Sequence, residues 1–215
     1  MTQDPTELIL LYFIVPVWLI AGMVDWFCHR ASGIGRTTGA KESLIHLLMF
    51  AEVGLPVLAG LFLQINAGVI ALMIVAFFVH EATALWDVSY AVTARVVTPI
   101  EQHVHSFLEM VPLMAIIAVA SLHWPQLLAL FGSGTEPADW ALHWKSPALP
   151  VGYIVGVLAV VAFLEFVPYL EELWRGWRQG GRRLMPEPAR RAAAAGTDTL
   201  HPREPRGQRA QRTGR

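Results

Sequence analysis

Residues 67–92 read AGVIALMIVAFFVHEATALWDVSYAV. From Ala67 to Val79 no side chain is charged, and the run continues apolar on either side of His80, Glu81 and Asp87. Roughly 20 such residues cross a hydrocarbon core of about 30 Å, so the stretch predicts a membrane span. The interruptions matter as much as the run. Ionisable groups at membrane depth are expensive and face a bundle interior or a wet cavity, so this helix is expected to have polar partners on other helices.

Working outward, four more runs meet the same criterion: about Leu8 to Phe27, Ser43 to Ile65, Ser106 to Leu122 and Leu149 to Leu170. The fold expected is all-α, a polytopic membrane helical bundle of about five transmembrane helices over residues 1–178. Composition agrees: 54% of the 215 residues are hydrophobic and only 15% are charged, against about a quarter charged in soluble domains. The acidic start MTQDPTEL and the absence of a small-residue cleavage pattern predict a first span rather than a cleaved signal peptide. The outer loop suggests two short interfacial helices, through PQLLALF and around ADWALHW.

Of the 16 Lys and Arg, 11 lie from Arg175 onward. The rest are Arg30, Arg36, Lys41, Arg95 and Lys145, and the first four fall in connections on the same side as the basic tail. The positive-inside rule then places the amino terminus outside and the carboxyl terminus in the cytoplasm, in a multi-pass cell membrane. Residues 179–215, rich in Arg, Pro, Ala and Gly, are expected to be a disordered basic cytoplasmic tail. The net charge of −1 gives no reason to expect a nucleic-acid partner. A single cysteine, Cys28, excludes a disulfide framework and a CxxC metal site.

Polar residues within the spans follow helical spacing. Asp25/His29, Glu42/His46 and Glu101/His105 are each four apart, which puts both members on one helix face. Glu109 continues the last stripe, and His80 and Asp87, seven apart, share a face. Given the expected topology, all of them fall toward the cytoplasmic side. Carboxylates and imidazoles from facing helices are what di-iron and di-manganese bundle proteins use, and oxygen with imidazole donors suits iron, manganese or zinc. The expected metal ligands are therefore His29, His46, His80 and His105 with Asp25, Glu42, Asp87, Glu101 and Glu109. Glu81 is a further ligand or an acceptor behind the ligands. Two iron ions are the expected cofactor, with manganese or zinc as alternatives.

Some of these residues have a plainer explanation. Thr98-Pro99-Ile100-Glu101 is a capping box with proline at the first helical position. Glu42 would favour the positive end of a helix dipole, and Asp25 and His29 could be solvated at the interface. His103 lies on another face. Glu52 and Glu165 suggest supporting or structural roles, while Glu171 and Glu172 read as interfacial.

The stretches DWFCH, ESLIH and EQHVH, between residues 25 and 109, loosely resemble the boxes of integral-membrane di-iron hydroxylases and desaturases. Those families are rich in HxxHH clusters, and this chain has no HH pair. The resemblance implies an oxygen-dependent oxidoreductase acting on a lipid or other hydrophobic substrate from the bilayer, with an electron-donor protein as a possible partner. Two other functions fit the same residues. One is a membrane haem-b electron carrier with axial ligands such as His46 and His105; the other is a metal or proton transporter.

Overall fold

In the computed structural model of the chain, residues 4–200 are described. The architecture is all-α. Seven helices follow in order: α1 Pro5–Ser32, α2 Ala40–Phe62, α3 Ala67–Ala91, α4 Pro99–Leu122, α5 Trp124–Leu130, α6 Val151–Gln179 and α7 Glu187–Leu200. Five of them (α1 to α4 and α6) are long and apolar enough to cross a membrane.

Local chemistry sets the ends. Asp4 caps α1, its side chain accepting from the Thr6 amide. The helix stops at Gly33, whose φ of 68° is left-handed and returns an N–H to the His29 carbonyl, a glycine-specific termination. Asn66 caps α3 through the Val69 amide. At α4 the capping box forms in full: Thr98 Oγ1 accepts from the Glu101 amide, and the Glu101 carboxylate accepts from the Thr98 amide. α4 therefore begins at Pro99, well before the Ser106 that hydropathy alone suggests, because its first two turns are polar, with Glu101 buried and Gln102 and His103 exposed. α6 likewise runs past Leu170 to Gln179.

The bundle packs α2 along α3, α1 along α4, and the second half of α6 against α2 and α1. Ile14, Val111 and Ala118 join α1 to α4, and Ala59, Val69 and Met73 join α2 to α3. The first part of α6, Val151–Val161, buries no residue at all. Within α6 the segment Ala162–Phe166 is π-helical, with the Val167 amide reaching back to the Ala162 carbonyl. Such bulges insert an extra residue and re-aim the side chains that follow.

Two expectations are corrected. Only the first of the two outer-loop helices forms, as α5. The ADWALHW stretch is instead extended, tied to the α2–α3 turn by Gln64 N–H to the His143 carbonyl, Lys145 N–H to the Phe62 carbonyl and Asn66 Nδ2 to the Ala141 carbonyl. Those turn donors and acceptors recruit its backbone before a helix can. The start of the basic tail is also structured. Leu184 accepts from the Lys41 amide, α7 follows, and Ala189 is buried with Ile45 and Tyr90 against Met185. A few apolar side chains among the arginines suffice to seat it. Residues 201–215 of the expected tail lie outside the described residues.

Candidate metal centre

The polar groups gather at one end of the bundle. Asp25 and His29 come from the last turns of α1, Glu42 and His46 from the first turns of α2, and Asp87 from the end of α3. Glu101 and His105 come from the start of α4, and Glu172 from the second half of α6. Asp25, His29, Glu42, His46, Asp87, Glu101 and Glu172 are all buried. None of Asp25, His29, Glu42 or Glu101 is merely interfacial or merely a cap.

Around His29 the donor atoms converge. Its Nε2 lies 3.4 Å from Asp25 Oδ1 and 3.5 Å from Glu101 Oε1, and His105 Nε2 lies 3.0 Å from the same Asp25 oxygen. Asp25 Oδ1 and His29 Nε2 are buried without a well-aligned hydrogen bond. Two ligands each about 2.0–2.2 Å from one ion stand roughly 3.0–3.5 Å apart, so this spacing is what a shared cation produces. Asp25, His29 and His105 form one triad whose ligand atoms fall within 4.8 Å of one another, and His29, Glu42 and His46 form a second.

The orientation of both buried imidazoles has a single cause. His29 Nδ1 donates to Glu172 Oε2 (3.2 Å) and His46 Nδ1 donates to Glu172 Oε1 (2.8 Å). The rings stack, with centroids 4.3 Å apart and planes 8° from parallel. A carboxylate behind a histidine fixes its tautomer and frees the opposite nitrogen for a metal. His46 then turns Nε2 toward Asp87 Oδ2, 3.3 Å away. Tyr169, one turn before Glu172, lies against the His46 ring.

Arg95 completes the cluster. Its guanidinium, from the α3–α4 connection, donates to Glu42 through Nε and Nη2, and to Glu101 Oε1 through Nη2 at 2.6 Å. Burial alone would lower its pKa, but the Glu101 and Glu42 carboxylates raise it above the ordinary value, so Arg95 remains a fixed charge. Five buried carboxylates (Asp25, Glu42, Asp87, Glu101, Glu172) thus face one guanidinium and three imidazoles. The buried cluster therefore holds more acidic side chains than basic ones.

The other expected ligands stand apart. His80 Nδ1 faces Glu52 Oε2 at 3.8 Å, and Thr83 Oγ1 donates to Glu52 Oε1 at 2.8 Å. Glu81 has Glu109 as its charged neighbour, and both are only half-buried. His80 shares a face with Asp87, yet two turns of rise, about 10 Å, separate the two along α3. His103 is exposed and packs on Phe107.

Glu172 and Arg95 are the residues that sequence reading missed. Glu171 is partly exposed and paired with Arg30 at 3.2 Å, but Glu172, expected to be interfacial with it, is 0% exposed. The available signal was the stripe Glu165, Tyr169, Glu172 and Gly176, spaced four, three and four, and all four are buried. No known protein family, curated protein or solved structure matches the chain.

Proposed function

We propose that the chain is a membrane-embedded metalloprotein, and more specifically a di-iron-type oxidoreductase acting on a lipid or other hydrophobic molecule. The observation that carries the metal reading is the convergence of Asp25, His29, His105 and Glu101, with the His29 tautomer set by Glu172. The donor set fits: oxygen and imidazole, no thiolate, and unpartnered atoms facing one point. Bound iron would supply oxygen-dependent oxidation there. The chain's own residues hold and orient: Glu172 keeps Nε2 of His29 free, Arg95 restrains Glu42 and Glu101, and apolar helices exclude water. With the carboxyl terminus in the cytoplasm, as the charge distribution favours, the centre would face that side.

A haem between His46 and His105 is the weaker reading. His29 stacks on His46 and sits edge-on to His105 at 6.1 Å, so it fills the gap a porphyrin needs. Transport retains one specific observation in its favour. Partly buried Glu52 and buried His80 extend the polar groups along α2 and α3 by about 9–10 Å beyond His46 and Asp87.

The decisive experiment is elemental analysis with an absorption spectrum on detergent-purified protein from metal-replete cells, repeated for His29→Ala and His105→Ala. Near one or two irons per wild-type chain, lost in both variants, is the expected result. Metal close to zero in the wild-type protein overturns the proposal, a Soret band would favour haem, and metal flux in proteoliposomes without oxygen chemistry would favour transport.

A further inference from the structure

α6 is lipid-facing over its first half, yet Glu165 is only 8% exposed. It sits in the π-helical segment Ala162–Phe166, which packs on α1. Its carboxyl group is seated directly against Gly22 of α1. A Cβ at that position would overlap Oε2, Cδ and Oε1 of Glu165 together, so the carboxyl occupies the space that the glycine leaves open. Glu165 Oε1 is nevertheless buried with no hydrogen-bond partner. An ionisable group pressed into a helix seam with an idle oxygen is costly, and nothing in the packing of α6 requires it.

What lies next to it supplies a reason. Gly22 and Asp25 are three apart on α1, neighbours on one face with about 4.5 Å of rise between them. The Glu165 carboxyl therefore rests one helical turn from Asp25, the oxygen shared by His29 and His105. Asp25 is also the charged group that acts on the Glu165 carboxyl. Tyr169 and Glu172 continue the same stripe of α6 to the His46 and His29 rings, so Glu165 lies on the face of α6 that is turned toward the centre.

We infer that Glu165 is a further ligand of the metal centre, held in the Gly22 cradle and delivered to the ion beside Asp25 when metal is present. It is a sixth buried carboxylate at the cluster, which suits a centre of two divalent ions rather than one. The inference rests on the metalloprotein reading above, and the test separates the two.

Metal-stripped, full-length protein in detergent is titrated with Co²⁺, reading affinity, stoichiometry and the d–d absorption band, for wild type, Glu165→Gln and Glu52→Gln. Glutamine keeps the shape of the side chain, and Glu52 is a partly buried carboxylate of α2 outside the site. The expected result is at least about tenfold weaker Co²⁺ binding with a shifted band for Glu165→Gln, and wild-type binding for Glu52→Gln. Should Glu165→Gln fail to give monodisperse protein, Glu165→Asp decides, because its shorter chain cannot reach and weakens binding by the same factor. Wild-type affinity and band in whichever Glu165 variant folds overturn this inference alone. An equal loss in Glu52→Gln also overturns it, by showing a general effect of buried charge. A wild-type protein that takes up no Co²⁺ overturns the metal reading itself, and this inference with it.

Discussion

Glu172 holds two imidazoles with one carboxylate, so its removal acts on both at once. Replacing it with glutamine retains size and one acceptor but leaves an amide N–H₂ facing a donor. The variant is expected to bind metal about 10–100-fold more weakly, the range for groups that orient a ligand, while staying folded; equilibrium Co²⁺ or Fe²⁺ titration checks it. Arg95 has the opposite character. Its side chain is buried between Glu42 and Glu101, and Arg95→Met strands both carboxylates. Removing one partner of a buried pair costs about 3–5 kcal/mol, so a large drop in thermal midpoint is expected, partly restored by added divalent metal. A midpoint equal to wild type would show that these carboxylates are not held by Arg95. The helical spacing made Asp25, His29, Glu42, His46, Glu101 and His105 legible in the sequence, because i, i+4 pairs declare their face. Arg95 was not legible as a site residue: in a loop between two spans it reads as an ordinary positive-inside charge, and only the fold turns it inward.

Two elements are positioned by close contacts that can be filled. A Cβ on Gly176 of α6 would stand 3.0 Å from the Ala40 amide nitrogen and 3.2 Å from its Cα. These are backbone atoms with no room to yield, so Gly176→Ala should push α6 from α2 and cost about 1–3 kcal/mol, read by thermal unfolding in detergent. Because α6 carries Glu172, metal affinity should fall in the same variant. Tyr90 OH donates to the Thr38 carbonyl at 2.7 Å, pinning α3 to the turn before α2. Tyr90→Phe is expected to cost only about 0.5–1.5 kcal/mol and to leave metal binding intact. Hydropathy revealed all five spans but misplaced the start of α4 and the end of α6, and for one reason. Both termini are polar sequence that stays helical while turning Glu101 or Glu172 inward, so the apolar window closes before the helix does. His80 illustrates the converse error. Its periodicity with Asp87 is real, but periodicity gives the face and not the depth, and two turns put it beside Glu52 instead.

For the molecule as a whole, the charge distribution sets an orientation that labelling can check. In a Cys28→Ser background, a cysteine at Ser133 in the loop after α5 should react with an impermeant maleimide added to intact cells. One at Gln179 should react only after the membrane is opened. The reverse pattern would invert the topology and place the centre on the outer side. The seated start of the tail predicts a further loss: ending the chain after Gly180 uncovers Ile45 and Tyr90, which Met185 and Ala189 pack against, and should cost about 1–3 kcal/mol of stability by thermal unfolding. One feature also governs when the centre can come into being. Glu172 lies 143 residues after His29 and 126 after His46, on the last span to be made. At about 5–20 residues per second, the ribosome takes roughly 6–29 s to go from these histidines to Glu172. During that interval His29 and His46 lack the carboxylate that orients them. On the metalloprotein reading the donor set is complete only once α6 is in place, so a chain cut before α6 is expected to bind metal more weakly than the full chain.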